Sequence, residues 1–396
     1  MRSPVRTELV VTTPSAKAAA VMVGRTRPLR VIGRPRSSNA VGNPYNHLLY
    51  EAVSRHGVSV EEFSGWLHAL SGRFDVLHVH WPEYTVSQKS LLSSIRSGVG
   101  FLLGCWLLQR RGTRIVWTVH NLRSHENPHP RLERAFSAAF RTIVDGCFCM
   151  FRDSRAELLR NSGWRRSALR AVLTRHGDYR AAYGPTVDRA RGRQLMGASL
   201  DDFVVLFFGR VRGYKNVPRL IRTFTELELP GVQLHIVGRC SEPQLAEEVD
   251  ELARREPRVR VHLGFVPPSE VPHWIGAADL VVLPFAEVHN SGSALLALSY
   301  GPPVLGPAMG SMQDLVRDVG NECVRTYTGD LTPDVLARAI EWSRGRHVSP
   351  DLLAAFDWDS IAEQTVAGYR WFCGLTDALP QPGETIAADG AGARAF

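Results

Sequence analysis

The sequence is poor in the residues that build disulfide frameworks and zinc sites. Only six cysteines occur among 396 residues, and none of them forms a Cys-x-x-Cys pair. Cys147 and Cys149 lie inside an apolar run. We therefore interpret the cysteines as small buried hydrophobic residues in a reducing cytoplasm, and expect neither a disulfide-stapled secreted domain nor a zinc module.

Long hydrophobic runs are also scarce. The longest, GVGFLLGCWLL at residues 98–108, has 11 residues, whereas a membrane-spanning helix needs about 20. We expect a core helix here. Docking on a membrane surface is the alternative, because Arg110 and Arg111 follow at once. Residues 1–28 lack a clean signal-peptide core and cleavage site, and we interpret them as a disordered leader.

Size and charge narrow the remaining classes. A chain of 396 residues predicts two domains. Its 47 Lys and Arg against 39 Asp and Glu give a net charge of +8, which suits an anionic partner such as a nucleotide or a phospholipid surface. A generally basic chain is the alternative, because the basic residues are spread along it. Nucleic-acid binding is disfavoured, since no aromatic–basic platform occurs.

Strands and helices alternate twice along the chain. LRVIG, FDVLHVHW and TRIVWTVHN are the strands of the first series, and FVVLFFG, VQLHIVG and DLVVLPF belong to the second. This alternation predicts an α/β fold of two parallel sheets, each covered by helices on both faces. Two Rossmann-like domains, residues 29–195 and 203–356, then face each other across a cleft at their strand tips. A helix follows at 357–375, and 380–396 is predicted to be a disordered tail.

The segment FFGRVRGYKN follows the first strand of the second domain. Gly209 allows a close backbone turn there, and Arg210 offers a planar fork of N–H donors that matches phosphate oxygens. Lys215 adds a point charge at the start of the next helix. A structural role is the alternative for each residue alone, but together they indicate a diphosphate site.

A second polar loop, HNSGS, opens into an apolar helix of the same domain. Asn290 or Ser291 would cap that helix, and Gly292 lets a ligand approach the backbone. The amides near Ser293 would then bind an anion at the helix start. Because this loop also leaves a strand tip, we expect it to lie opposite Arg210 and Lys215.

These motifs resemble the GT-B glycosyltransferases of group 1, also called family 4, over roughly residues 29–375. FFGRVRGYKN resembles the family's diphosphate clamp, LLALSYGPPVL its ribose and phosphate helix, and DSIAEQTVAGYRWF the helix that crosses back to the first domain. The resemblance implies a nucleotide-sugar donor. It also assigns nucleobase contact to Gly264, Phe265 and Val266. The pattern NSGSALLALS resembles a subgroup with bacterial β-mannosyl and glucuronosyl transferases.

One departure from the family pattern concerns the ribose. Two glutamates eight positions apart are expected around the loop, and this chain has Val288 and Leu296 there. Glu287 is one residue away from the first position. No acidic residue replaces the second, so ribose contact must come from elsewhere, and the stereochemical outcome of the reaction stays open.

The strand ends of the first domain provide the acceptor-side candidates. The resemblance places His120 against the donor sugar and phosphate, while a structural histidine is the alternative. Of His78 and His80, which are expected not to share one face, His80 is nearer the strand tip and is predicted to reach the cleft.

Glu83 is the acidic candidate for deprotonating an acceptor hydroxyl, although a solvated loop carboxylate is the alternative. The other acceptor-binding candidates are Gly42, Asn43, Tyr45 and Asn121, of which the first three also fit a plain turn and helix cap. RHGDY, at residues 175–179, receives no chemical role.

The sequence thus predicts a hexosyltransferase that moves a sugar from GDP-mannose or a UDP-sugar to a saccharide or lipid-linked saccharide, in polysaccharide biosynthesis. Two cations, Arg210 and Lys215, reduce the need for a metal at the diphosphate, so we expect no metal and no cofactor. The expected location is the cytoplasm, with peripheral contact at the inner face of the plasma membrane. A nucleotide-sugar epimerase of the same fold and a non-catalytic protein that binds glycans or anionic lipids are the alternatives.

Overall fold

A computed structural model describes residues 27–40, 42–121, 128–152, 158, 170–185, 187–286 and 292–377. Within these ranges the chain forms two parallel six-stranded sheets, one from each half of the sequence. The predicted tail and all but residues 27–28 of the predicted leader lie outside the described residues.

The first sheet is built from strands that alternate with helices. Its elements are β1 (Arg30–Arg34), α1 (Tyr45–Arg55), β2 (Ser59–Glu62), α2 (Trp66–Ser71), β3 (Val76–His80), a 3-10 turn (Pro82–Val86), α3 (Leu91–Arg110), β4 (Arg114–Val119), α4 (Pro130–Ile143), β5 (Gly146–Cys149) and β6 (Arg170–Leu173). The strand order is β2-β1-β3-β4-β5-β6. The order reverses between β1 and β3, and ligands of such sheets bind at the strand tips of this point.

The second sheet repeats the pattern after two short helices, α5 (Arg180–Tyr183) and α6 (Arg189–Met196). Its elements are β7 (Phe203–Phe208), a 3-10 turn (Gly213–Lys215), α7 (Val217–Thr225), β8 (Val232–Val237), α8 (Pro243–Arg254), β9 (Val259–His262), α9 (Val271–Gly276), β10 (Leu280–Val282), α10 (Gly292–Leu298), β11 (Val304–Pro307), α11 (Ser311–Val319), β12 (Val324–Tyr327) and α12 (Pro333–Ser343). The order β9-β8-β7-β10-β11-β12 is that of a Rossmann fold, with its switch point between β7 and β10.

The chain ends its described part with a 3-10 turn (Pro350–Phe356) and the helix α13 (Trp358–Phe372), which returns to the first sheet. Ile361, Val366 and Phe372 of α13 are buried in one cluster with Val31 and Val116 of the first domain. The prediction of two facing α/β domains with a returning C-terminal helix is therefore confirmed.

The helix α6 differs from the predicted domain boundary. Residue 195 was predicted to close the first domain, but Met196 is buried in the core of the second. Arg193 pairs with Asp279 at 2.7 Å, and Gly192 packs against the backbone of His273. The helix thus belongs to the second domain because its apolar and charged partners lie there.

The helix α3 corrects the expectation about hydrophobic runs. It has 20 residues and is long and apolar enough, by length and composition, to cross a membrane. The 11-residue run is only its C-terminal half, because Leu91, Leu92 and Ile95 extend the apolar segment through a serine-rich turn. The helix is also not an ordinary core helix, since only 33% of its most apolar window is buried.

Candidate active site

The turn that follows β7 brings two of the predicted donor-binding groups together. Gly209 has φ +131°, a conformation that favours glycine. A β-carbon at this position would lie 3.2 Å from Lys215 Nζ and 3.5 Å from Ser293 Oγ. The turn, the lysine and the first turn of α10 therefore converge on one point at the switch between β7 and β10.

Lys215 is buried, with 9% of its surface exposed. Burial lowers the pKa of its ammonium group to about 8, and the neighbouring Arg212 and Arg210 add to the effect. The rings of Phe207 and Phe285 lie 5.8 and 5.2 Å from Nζ. No carboxylate of the described residues forms an ion pair with it. A buried cation without a protein counter-ion is costly, so this position favours an anionic ligand.

Arg210 is exposed and points toward the first domain. Its Nη2 lies 2.9 Å from where a β-carbon on Gly42 would be, so the glycine loop after β1 meets the predicted phosphate clamp directly. In the same loop Asn43 accepts a hydrogen bond from the Tyr45 amide at 3.1 Å. The two switch points thus face each other, and Gly42 leaves the space that the guanidinium needs.

The start of α10 contacts residues for which the sequence predicted no chemical role. A β-carbon on Gly292 would lie 2.6 Å from the Tyr179 hydroxyl and 3.5 Å from His176 Nε2. Burial lowers the pKa of His176 to about 4, so this imidazole is neutral. The predicted cap residues Asn290 and Ser291 lie outside the described residues, as do Glu287 and Val288. Leu296 packs against the core of the second domain.

A buried aromatic residue lies behind the histidines at this point. The ring of Tyr45 lies 4.7 Å from that of His176 and 5.0 Å from that of His120, and 5.5 Å from Trp358 at the start of α13. Only 2% of Tyr45 is exposed. The structure therefore places Tyr45 behind the site, where it orients two histidines, rather than on a surface that an acceptor could touch.

His120 belongs to a buried hydrogen-bonded network. Its Nε2 lies 2.9 Å from His80 Nδ1, and His80 Nε2 lies 2.8 Å from the Tyr50 hydroxyl. Burial holds the pKa of His80 and His120 well below the ordinary range. Both rings are therefore neutral, so that one donates its N–H to the unprotonated nitrogen of the other, and His80 positions His120 instead of facing the cleft itself.

The expectation that His78 and His80 could not share a face is wrong. Residues two apart on a strand point to the same side, and the two ring centroids are 4.4 Å apart. His78 bonds Thr118 Oγ1 and the Tyr369 hydroxyl, both at 2.7 Å. It thereby ties the returning helix α13 to the strands that carry the site.

Trp81 supports His120 from its other side. Its backbone is left-handed, with φ 48° and ψ 57°, a conformation that costs a non-glycine residue about 1–2 kcal/mol. The indole stacks on the His120 ring with centroids 4.0 Å and planes 18° apart. Strained backbone at a strand tip commonly marks a functional site.

Glu83 and Asn121 line a separate cavity on the α3–α4 side of the sheet. Trp117, Glu133 and Arg141 complete much of its wall. Burial, together with a smaller contribution from the nearby Glu133, raises the pKa of Glu83 to about 7. The alternative of a solvated loop carboxylate is wrong for Glu83, since 7% of it is exposed. The cavity opens beside Asn121, the residue next to His120 in the chain.

The predicted nucleobase loop lies at the tip of β9. Gly264 and Phe265 are exposed, the latter by 65%, and Val266 is half-buried. An exposed aromatic ring at a strand tip is suited to stacking on a flat base. Its assignment to the nucleobase stays a prediction.

Known proteins resemble this chain in sequence and in fold. The family model "Glycosyl transferases group 1" matches residues 202–343, the domain that holds Arg210, Lys215 and Gly292. A GDP-mannose:glycolipid 4-beta-D-mannosyltransferase of Xanthomonas campestris is 31% identical over 337 residues, which are 85% of this chain and 90% of that protein. The chain is a group 1 glycosyltransferase. The predicted enzyme class is thereby confirmed, and the relative agrees with the β-mannosyl subgroup resemblance.

Further relatives of the glycosyltransferase cover less sequence or share only its fold. A D-inositol 3-phosphate glycosyltransferase of Mycolicibacterium paratuberculosis is 30% identical over 46% of this chain and 43% of its own. The sucrose-phosphate synthase of Thermosynechococcus elongatus has a TM-score of 0.66 at 19% identity, covering 88% of this chain and all of that one. Anabaena HepE in complex with UDP-glucose has a TM-score of 0.58 at 17% identity, covering 88% and 99%. Both structures have the fold of this glycosyltransferase.

Gly238 of the glycosyltransferase lies against the turn at Gly209, and replacing it tests how tightly that turn is packed. It has φ +140°, and a β-carbon there would lie 2.0 Å from the Gly209 carbonyl oxygen. We expect Gly238→Ala to lower the free energy of unfolding by about 3 kcal/mol or more, because backbone strain and overpacking add. Urea unfolding checks this. Gly231→Ala is the matched control, with φ +72° and no neighbour within 4 Å. Equal losses in the two variants would contradict the packing argument.

Proposed function

We propose that this glycosyltransferase moves a mannosyl residue from GDP-mannose to the saccharide headgroup of a glycolipid. The Xanthomonas relative, a GDP-mannose:glycolipid 4-beta-D-mannosyltransferase, supports this choice. The main support from the chain itself is that Lys215 is buried and faces Gly209 and Ser293. Among the described residues it has no carboxylate partner.

The chemistry of the transfer explains this charge. When the bond between the sugar and the diphosphate breaks, the sugar becomes oxocarbenium-like and negative charge grows on the departing oxygens. Fixed cations aimed at that charge stabilise the transition state more than the ground state. We assign this role to Lys215 and Arg210, together with backbone amides at the start of α10.

The first domain would hold the sugar and the acceptor. A neutral His120, fixed between His80 and Trp81, can donate a hydrogen bond to a sugar hydroxyl or to the phosphate. A β-mannoside formed from an α-linked donor requires inversion, and inversion requires a base for the acceptor hydroxyl. We assign that base to Glu83, since a carboxyl group with a pKa of about 7 is suited to proton transfer near neutral pH.

We further propose that transfer needs no metal ion, because two cations already neutralise the diphosphate. Among the described residues, His56, Asp359 and Glu363 do lie close enough together to hold an ion, but they stand at the opposite end of α1 from Tyr45. If the proposal holds, enzyme dialysed against EDTA keeps its activity. A loss that Mg²⁺ restores would contradict it.

A glycolipid acceptor also sets where the enzyme works. We propose a cytoplasmic protein that contacts the inner face of the membrane peripherally and contributes to the synthesis of a surface polysaccharide. The Xanthomonas relative is named as an enzyme that acts on a glycolipid. The net charge of +8 of this chain also suits an anionic membrane surface.

The donor is tested by thermal unfolding with GDP, UDP, ADP and TDP. GDP is expected to raise the melting temperature most, because a ligand that binds only the folded state stabilises it more the more tightly it binds. Transfer of labelled mannose from GDP-mannose to a lipid extract then tests the reaction. Preference for UDP would replace the proposed donor. Conversion of the sugar without any acceptor would indicate an epimerase, and binding without turnover would indicate a non-catalytic protein.

The pKa of Lys215 predicts how GDP binding depends on pH. In the free enzyme the ammonium group loses its proton as the pH rises through about 8, whereas a bound diphosphate holds the proton on. GDP affinity is therefore expected to fall between pH 8 and the ordinary lysine pKa, by up to tenfold per pH unit. Isothermal titration at several pH values measures this. A Lys215→Arg variant, which stays charged, should bind with little pH dependence, and an equally steep fall in that variant would assign the titration to another group.

A further inference from the structure

The helix α3 has two apolar stripes on different sides. Ser94, Gly98, Phe101, Cys105 and Leu108 are buried against the sheet. The other stripe faces outward, and we call it the outer stripe of α3: Leu92, Ile95, Val99, Leu103 and Trp106, exposed by 76, 40, 61, 53 and 49%. Their spacing of three and four residues places them on one face of the helix. A surface helix usually has polar residues on that face.

The neighbouring helix α2 also exposes an apolar side chain. Leu67 of α2 is 86% exposed, and α2 is held against α3 where the Trp66 ring covers Gly104. Large contiguous apolar surfaces on a folded domain usually mark an interaction site.

The charged residues of α3 and of its flanking segments in the sequence all have one sign. Between Glu83 and Glu126 the sequence contains no Asp or Glu. Lys89 precedes the helix, Arg96 follows Ile95, and Arg110 and Arg111 close the C-terminal end. All four are exposed, and the Arg110 guanidinium lies 5.7 Å from the Trp106 ring. An apolar stripe on a helix whose own charged residues are all cations matches an anionic phospholipid surface, where acyl chains lie beneath phosphate groups.

The packing of α3 decides between lying on a bilayer and crossing it. Phe101, Cys105 and Leu108 belong to the same buried cluster as Ile115 of β4 and Phe140 of α4. A helix that crossed the bilayer would leave this cluster and expose it. The geometry therefore keeps α3 on its sheet, with only the outer stripe available to lipid.

We propose that α3 lies flat in the headgroup region of an anionic membrane, with the outer stripe inserted and Lys89, Arg96, Arg110 and Arg111 against lipid phosphates. This inference rests on the proposed function in one respect, since a glycolipid acceptor requires the enzyme at a bilayer. The N-terminal end of α3 packs on the turn that carries Glu83, where Gly98 approaches Val86. The docked helix therefore brings the membrane surface close to the turn that carries Glu83 and to the cavity that Glu83 lines.

Co-sedimentation with vesicles tests the proposal. The full chain is expected to bind phosphatidylglycerol-containing vesicles well and pure phosphatidylcholine vesicles weakly. The triple variant Leu92→Ser, Val99→Ser, Leu103→Ser should lose at least about tenfold in partition coefficient. Arg110→Gln with Arg111→Gln should lose the preference for the anionic lipid. Leu200→Ser removes a side chain that is 61% exposed in the second domain, and this control should bind like the wild type.

Two further measurements separate the outcomes. All variants should keep the wild-type melting temperature and its increase with GDP, because none touches the donor cluster. Vesicle binding without any effect of nucleotides would support this inference and overturn the proposed donor. Failure of the wild type to bind anionic vesicles, or undiminished binding by the triple variant, would overturn the inference. Self-association in sedimentation velocity that the triple variant abolishes, without vesicle binding, would assign the outer stripe to a second copy of the chain and overturn it too.

Discussion

Replacing Lys215 with methionine is expected to lower kcat by about 100-fold or more and to abolish the stabilisation by GDP. The ammonium group has no carboxylate partner among the described residues, so the departing diphosphate is the charge that it would meet. Loss of one preorganised donor to a developing anion costs about 2.7–4 kcal/mol of transition-state stabilisation. Turnover with saturating GDP-mannose measures this directly.

The same substitution should leave the fold intact, which separates a catalytic effect from a structural one. The folded-state pKa of Lys215 is lowered from 10.5 to about 8, so the unfolded chain binds more protons between these values. Stability therefore rises with pH across that window, and at neutral pH the buried cation is a cost. Methionine keeps the contacts with Phe207 and Phe285 without the charge, so the free energy of unfolding at pH 7 should stay equal or increase.

Arg222→Met is the matched control for Lys215→Met. Arg222 lies on α7 of the same domain, is half exposed and pairs with Glu248 on the surface. Its removal takes away one positive charge without touching the donor cluster, so turnover and GDP binding should change little. Near-wild-type turnover in Lys215→Met, or an equal loss in the control, would remove Lys215 from the mechanism.

Replacing Glu83 with glutamine is expected to lower kcat by 100-fold to 10,000-fold, the usual contribution of a general base. In the wild type, kcat/KM should rise about tenfold per pH unit below pH 7 and level off above it, because the carboxyl group acts only when ionised. The variant should lose this dependence. A pH profile with labelled GDP-mannose and acceptor checks both statements.

A substitution at Glu133 provides a control that separates a chemical role of Glu83 from a purely structural one. Its charge helps burial to raise the pKa of Glu83. Glu133→Gln should therefore keep most of the activity and shift the rising limb of the profile to lower pH. An unshifted profile in this variant, or a Glu83→Gln enzyme with wild-type kcat, would leave the base unassigned.

Stability provides an independent check on Glu83. Because its folded-state pKa is raised above the ordinary 4.5, the folded chain binds more protons than the unfolded chain between about pH 4.5 and 7. Stability then falls as the pH rises through that window. At pH 8 Glu83→Gln should unfold no more easily than the wild type, so a loss of activity at that pH reports on chemistry.

Much of the fold could be predicted from the sequence because the signals are local. Alternating short apolar strands and amphipathic helices indicate parallel sheets, and each strand tip is visible as a glycine or polar residue. Gly209, Arg210 and Lys215 lie within seven residues of one another, so their convergence follows from one turn and the start of one helix. The resemblance to the GT-B glycosyltransferases then predicted the enzyme class.

The rest of the site depended on contacts between distant segments. His176 and Tyr179 meet Gly292 across more than a hundred residues, and Arg210 meets Gly42 across the domains; no local pattern predicts such neighbours. His120 and Glu83 both follow strand tips, yet His120 packs among His80, Trp81 and Tyr45, whereas Glu83 lines the cavity beside Asn121.

For this protein, then, the sequence by itself determined the two α/β domains, the clustering of Gly209, Arg210 and Lys215 at one strand tip, and the family. Only the tertiary structure decided that Lys215 is buried, that His80 supports His120, and that one side of α3 is left uncovered. The physical reason is that the sequence shows whether a residue is apolar or charged, and hence whether it favours the core or the solvent. Its actual burial and its pKa depend on which other elements pack against it.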